Sequence, residues 1–242
     1  LEGEGRAALG TPRTQEPHLP PFLLPTTACD SDHPAIIALS RRLIPPRCSA
    51  ARAAAAVRTW VRANVVYALH DKSDTASATL AKCEGMCTNK ANLQVALLRA
   101  AGIPAGYVLT HITREAHAGP HVLEAVLAQL SPITVHVFCA VYIPYAAPHA
   151  LSAAGLSLSE AQSRALGSEL GTFRHYDATE RLGSNYLTEY VPYTDETRYR
   201  QRWLRGPFSP VQGNLDHLLA PGSQLPPELV AQQNALYRAH PV

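Results

Sequence analysis

The run Cys87-Thr88-Asn89-Lys90-Ala91-Asn92-Leu93-Gln94-Val95-Ala96-Leu97-Leu98-Arg99-Ala100-Ala101-Gly102-Ile103-Pro104-Ala105 constrains this chain more than any other stretch. Good helix formers run almost unbroken as far as Gly102, and Gly-Ile-Pro then ends the pattern. The spacing predicts a helix over 88–101 with a thiol at its start. A helix N-terminus presents free N–H groups and a partial positive charge. Both favour thiolate over thiol, and the thiolate is the nucleophile. Cys87 is therefore a candidate activated nucleophile, and its own N–H is a candidate oxyanion donor. One such donor is typically worth about 10²–10³ in rate. Its partner donor is not marked in the sequence.

Around this helix the pattern changes type once. Upstream, Asp30-Ser31-Asp32-His33-Pro34 reads as a helix start, with Asp32 as the expected cap and Ile36, Ile37, Leu39 and Leu43 as the apolar stripe. Ser49 to Asn64 is a second helix, Asn64 to Tyr67 is extended, and Ser77 to Ala81 is a brief helical turn. Downstream, Ala105 to Thr113, Ile133 to Ile143 and Phe173 to Thr179 read as strands, while His121 to Gln129 suits either type. Residues 145–172 interrupt the strands and carry a capping-box-like Ser157-Leu158-Ser159-Glu160 before an Ala/Leu-rich helix. The tail, 180–242, has many aromatic residues and prolines and few clear periods. Helices first and strands after imply an α+β class rather than alternating βαβ units.

At 242 residues and 46% hydrophobic content, one large domain with a sizeable core is expected. The expected division is an extended arm over 1–22 and a single catalytic domain over 23–242, with 145–172 as a helical insertion and possible lid. A formal charge of +2, with 17% charged residues and no basic run, argues against a nucleic-acid or anionic-membrane partner. No apolar stretch is long enough to span a bilayer, and the first residues lack a signal-peptide pattern, so a cytoplasmic protein is expected. Five scattered cysteines, Cys29, Cys48, Cys83, Cys87 and Cys139, fit a reducing compartment better than a disulfide framework. The C-x3-C spacing of Cys83 and Cys87 lacks the second knuckle that structural zinc needs.

A cysteine nucleophile needs a base nearby and a third group to orient that base. Among eleven histidines, His136 is distinctive because it lies inside an apolar β-rich run, where a polar side chain needs a partner. Asp177 ends a strand-like segment, and an acid there can hold an imidazole in one tautomer. His175 and His111 are the alternative bases, and Cys83 is the alternative nucleophile.

The cysteine followed by a helix ending Leu-Leu-Arg-Ala-Ala-Gly-Ile-Pro-Ala resembles the transglutaminase-like superfamily. His136-Val137-Phe138-Cys139-Ala140-Val141-Tyr142 resembles that family's His strand, and Tyr176-Asp177-Ala178-Thr179 its Asp-x-Thr strand. Asp30-Ser31-Asp32-His33-Pro34 and Trp60-Val61 are similar to bacterial members, and the likeness spans roughly residues 23–180. It implies a papain-like core, N-terminal helices packed on an antiparallel sheet. It also implies Cys87 as nucleophile, His136 as base and acid, Asp177 as orienter, and no metal or organic cofactor.

Three departures from the family pattern bear on the acyl acceptor. Phe138 stands where hydrolytic members usually carry Trp, Gly106 stands where Arg is common after Gly-Ile-Pro-Ala, and about forty residues separate His136 from Asp177. In size, triad order and departures the chain is similar to actinobacterial Dieckmann cyclases, which release polyketide–peptide chains as tetramic acids or pyridones. That resemblance implies a thioester-linked substrate presented by a carrier protein. The alternatives are a peptidase or amidase, an amide-forming transglutaminase, and a non-catalytic scaffold.

Overall fold

The computed structural model describes residues 22–69, 74–144, 171–179 and 219–240. The chain divides into two compact units, Leu1–His18 with Pro144–Thr172, and Leu19–Ile143 with Phe173–Val242. Nearly all described residues belong to the second, and the expected arm over 1–22 and the 145–172 insertion fall almost wholly outside them. In chain order the elements are α1 (Pro34–Leu43), α2 (Ala50–Asn64), β1 (Val66–Tyr67), α3 (Ala76–Lys82), β2 (Glu84–Gly85), α4 (Cys87–Ala100), β3 (Ala105–Thr113), α5 (Glu124–Leu127), β4 (Ile133–Pro144), β5 (Gly171–Tyr176) and α6 (Pro227–Ala239). A 3₁₀ turn, Arg114–His117, follows β3. No helix among the described residues is long and apolar enough to cross a membrane.

Local chemistry explains most of the helix ends. Ser49 caps α2, its hydroxyl accepting from the Arg52 N–H at 3.4 Å, and Thr75 caps α3 in the same way from Ala78 at 3.1 Å. Pro34 occupies the first turn of α1 as expected, but the cap is His33, whose Nδ1 accepts from the Ala35 N–H at 3.2 Å. Asp32 is therefore not the cap. The acid that acts locally is Asp30, which accepts from the backbone N–H and hydroxyl of Ser77 and so ties the start of α3 to the approach to α1. Gly102, at φ +73, takes the left-handed turn that stops α4, a conformation a side chain would strain.

Two sheets form. β1 and β2 pair in parallel over two residues each, with Tyr67 opposite Gly85. β3, β4 and β5 lie in that order, and β3 runs antiparallel to β4 from Ala105↔Val141 to Thr113↔Ile133.

α4 is the axis of the second unit. It packs against α1, α2, α3 and β3, and every residue from Cys87 to Arg99 is buried. Its apolar side chains Leu93, Val95, Leu97 and Leu98 join Ile36, Val57, Val61, Val137 and Val141 in one core. Most polar side chains on this helix are buried too, and Lys90, Asn92, Gln94 and Arg99 hydrogen-bond neighbouring segments, whereas the buried Thr88 hydroxyl has no partner among the described residues. Lys90 Nζ donates to the Val65 carbonyl at 2.8 Å, Asn92 Nδ2 to Ala28 at 2.9 Å, and Arg99 Nε to Ala105 at 2.9 Å. Tyr107 on β3 returns a bond, its hydroxyl donating to Asn92 Oδ1 at 2.7 Å. Buried polar groups must be paired or they cost stability. Here the pairing also fixes how the surrounding chain lies on the helix.

The tail contributes a helix that hydrophobic periodicity does not reveal. α6 buries Gln233, Asn234 and Tyr237. Asn234 Oδ1 accepts from the Leu69 N–H at 2.7 Å and its Nδ2 donates to the Leu69 carbonyl at 3.1 Å. Gln233 does the same across a loop, accepting from the Leu123 N–H at 2.8 Å and donating to the His121 carbonyl at 2.7 Å. Asn234→Leu strands both Leu69 groups in a buried place. Each group left unpaired costs about 1–3 kcal/mol. A lowered urea midpoint with an unchanged slope is the expected result, and an unchanged midpoint would mean that α6 adds nothing to the core.

Candidate functional site

Cys87 sits where the β2 strand turns directly into α4. The turn is Gly85-Met86-Cys87, and it is tight: a Cβ on Gly85 would lie 2.5 Å from the Cβ of Asn89. Glycine is thus required for the strand to approach the first turn of the helix this closely. Asn89 completes the turn from the other side, its Oδ1 accepting from the Met86 N–H at 2.9 Å. Cys87 is the first residue of α4, so its own N–H has no intrahelical acceptor.

His136 lies within β4, paired in register with Thr110 of β3, and is fully buried. β5 flanks β4 on its other side and delivers Asp177 just past its end at Tyr176. The two side chains meet, His136 Nε2 donating to Asp177 Oδ2 at 2.7 Å. The other carboxylate oxygen, Oδ1, accepts the Thr179 N–H at 2.7 Å and the Thr179 hydroxyl. Thr179 Oγ1 also lies 3.3 Å from His136 Nε2. With Nε2 engaged, Nδ1 is the imidazole atom left for Cys87, whose thiol is near enough to favour the charged ring. Phe138, two residues along the strand, packs on the imidazole with ring centres 5.7 Å apart.

Electrostatics follow from this packing. Burial opposes a charge on His136, but the Asp177 carboxylate and the bonds to Asp177 and Cys87 outweigh it and push the imidazole up to about 10. Burial likewise opposes charge on Asp177, and the His136 cation with the Thr179 bonds holds its carboxyl well below the usual carboxylate range. His117 stays neutral beside them. Burial, then the His136 charge, pushes it down to about 4, and its Nε2 bonds Thr134 Oγ1 at 2.9 Å. A thiol, an imidazole and a carboxylate in this series can pass a proton from sulfur to nitrogen while the carboxylate holds the ring.

Two further residues hold the carboxylate in place, and nothing in the sequence marks them. Arg58 on α2 donates from Nε to the Asp177 carbonyl at 2.7 Å. Gln94 on α4 donates from Nε2 to the Tyr176 carbonyl at 3.1 Å, while its Oε1 is buried without a partner among the described residues. Their signal is a non-local pairing, readable only once α2 and α4 are known to lie against the end of β5.

The structure brings together Cys87, His136 and Asp177. The alternatives stand elsewhere. Cys83 is exposed at the left-handed C-cap of α3, with its thiol donating to the Leu80 carbonyl at 3.3 Å. His175 is exposed and lies edge-on to Phe138, ring centres 5.4 Å apart. His111 pairs with Val135 in the β3–β4 ladder, one step from the Thr110↔His136 pair. All five cysteines are free; Cys29 and Cys139 are buried in the core, and Cys48 is half-buried.

Comparison with known proteins adds three findings. Residues 37–147 match the model of the transglutaminase-like superfamily, a span that holds Cys87 and His136 and ends before Asp177. A crystal structure of a protein from Cytophaga hutchinsonii, named a "putative cysteine protease", aligns with 72% of this chain and 46% of its own at 20% identity and a TM-score of 0.47. The chain therefore spans about half the length of that protein. No curated protein matches the chain. The fold is mixed α and β with a transglutaminase-like core. The family match supports a cysteine-dependent enzyme.

Proposed function

We propose that the chain transfers acyl groups through a thioester on Cys87, with His136 moving the proton and Asp177 orienting His136. The single observation that carries this reading is an imidazole bonded to the Asp177 carboxylate and lying near the Cys87 thiol at the start of a buried helix. Cys87 Sγ attacks the carbonyl of a thioester substrate, the new C–S bond forms, and the leaving thiolate takes a proton from the His136 imidazolium. His136 is then neutral and able to accept a proton.

The acceptor we propose is a carbanion within the same substrate. His136 takes a proton from the carbon between two carbonyls. That carbon attacks the acyl-Cys87 carbonyl, the C–C bond forms, and the C–S bond breaks to return the thiolate. The reaction is a Dieckmann cyclisation, and the product is a tetramic acid or pyridone released from a carrier protein. Two features favour it over hydrolysis. Cys87 and His136 are both buried, and Phe138 covers the imidazole; water is the acceptor a closed site excludes. Holding both reacting ends together gives effective molarities of about 10⁵–10⁸ M, so ring closure needs little further help. Free thiols suit a cytoplasmic enzyme.

An N-acetoacetyl-aminoacyl thioester distinguishes the outcomes by mass. The cyclic product lacks one water relative to the free acid. Cyclic product from the wild type supports the proposal. Free acid alone makes the chain a hydrolase of the peptidase or amidase kind, and the cyclase reading is then wrong.

A further inference from the structure

Between His33 and His70 the chain carries six arginines and no lysine, aspartate or glutamate. Four of them, Arg41, Arg42, Arg47 and Arg52, fall in the last turn of α1, the connecting loop and the first turn of α2. All four are exposed, and none of the four guanidinium groups is paired with another described residue. Pro45 and Pro46 lie between them and are exposed too. Arg41 and Arg42 have a local reason to be there, because the C-terminal end of a helix is negative. Arg47 and Arg52 have none. Arg47 has φ +63, a left-handed conformation that favours glycine. The Cys48 N–H donates to the Pro45 carbonyl at 3.1 Å, so Arg47 is the second central residue of a turn, where a left-handed residue is normally Gly or Asn. Arg52 stands at the positive end of α2, whose first turn holds no acid to offset it. The fold of the free chain is served by neither.

We infer that this corner between α1 and α2 is the docking surface for an acidic carrier protein that presents the thioester substrate. The inference rests on the acyl-thioester reading and names where its partner binds. The formal charge of the whole chain is only +2, so the cluster is a local patch and not part of a broad cationic surface. That suits an acidic protein face of limited area better than the continuous charge of a nucleic acid or an anionic bilayer. The two prolines supply apolar contact within a rim of charge. The place also fits. The Ser40 hydroxyl donates to the Leu97 carbonyl at 2.7 Å, which sets the end of α1 beside the C-terminal half of α4. Leu97 is about 15 Å from Cys87 along the helix axis. A carrier docked there brings its acyl thioester to Cys87 on a flexible arm, and its own surface stays clear of the nucleophile. Docking makes and breaks no covalent bond: the arginines speed encounter, and the chemistry remains that of Cys87.

The test gives one N-acetoacetyl-aminoacyl chain in two forms, on the phosphopantetheine thiol of an acidic carrier domain and on N-acetylcysteamine. Thiol release reports acylation of Cys87 from either form. In Arg41→Glu/Arg47→Glu/Arg52→Glu, kcat/KM for the carrier form should fall about 10²-fold, and the N-acetylcysteamine form should react as in the wild type. Added salt should shrink the wild-type preference for the carrier form. Arg47→Gly/Arg52→Glu removes two locally unfavourable residues, so it should raise the urea midpoint while slowing the carrier reaction, a pairing that damage to the fold does not produce. An unchanged carrier rate in the triple variant would overturn the inference. So would equal losses with both forms, or a wild type that reacts no faster with the carrier form than with the small thioester. Loss of duplex DNA or phosphatidylserine-vesicle binding with the carrier rate intact would assign the patch to a polyanion instead. A wild type that the N-acetylcysteamine form fails to acylate removes the acyl-thioester reading itself, whereas normal acylation with no carrier effect removes only the docking surface.

Discussion

Cys87→Ala is expected to carry no acyl group and to turn over thioester substrate about 10⁴–10⁶-fold more slowly than the wild type. The size follows from the site. The proposed route has no step without the sulfur, and His136 faces an empty place where its proton donor stood. Removing one small buried side chain from the start of a helix that is otherwise fully anchored should leave the fold intact. A cooperative melt close to that of the wild type would show that it does. Thiol release and intact protein mass are the measurements. Turnover in the variant within tenfold of wild type would place the nucleophile elsewhere, with exposed Cys83 the next thiol to replace.

Asp177→Asn is expected to cost nearly as much in rate, about 10⁴-fold, for a different reason. The amide is isosteric and keeps the Thr179 and Arg58 bonds within reach, but it no longer fixes the tautomer that presents Nδ1 to Cys87. The same change alters how stability depends on pH. His136 is raised in the folded state, so its contribution is full below the unfolded value of 6.5 and is lost as pH climbs through about 10. Asp177 is lowered, so its contribution is full above 3.8 and fades as pH falls through its depressed folded value. These are two views of one interaction. Wild-type stability should therefore be greatest between about pH 4 and 6.5 as far as this pair decides it, and decline toward alkaline pH. Asp177→Asn should flatten both limbs. Urea midpoints across pH 3–10 measure this, and parallel curves for the two proteins would show that the pair is not charged in the folded state.

The helix that carries Cys87 and the strand that carries His136 were legible because each announces itself locally. Helix formers run from Thr88 to Ala101, Gly102 stops them, and Ile133 to Ile143 is dense in β-branched residues. α6 was not legible, because the face it turns inward is made of Gln233, Asn234 and Tyr237 rather than of leucines. Its burial is driven by amide pairing, and a hydrophobic period cannot report that. Asp32 misled for a related reason. Two acids, a serine and a histidine precede Pro34, and local rules cannot tell which oxygen or nitrogen meets the helix and which reaches Ser77 across the fold. Arg58 and Gln94 belong to the same class. Each matters through a partner far away in sequence, so its role appears only when α2 and α4 are seen against the end of β5.

The two bonds to the end of β5 have a wider consequence. Arg58 and Gln94 grip the backbone on either side of the Tyr176–Asp177 junction from helices that lie earlier in the chain. The position of the carboxylate is thus written into the core, and the length of chain joining β4 to β5 does not enter it. Doubling such a connection costs only about 0.6 kcal/mol in closure entropy. The segment between the two strands is therefore free to be lengthened, shortened or exchanged while the proton-transfer geometry stands still.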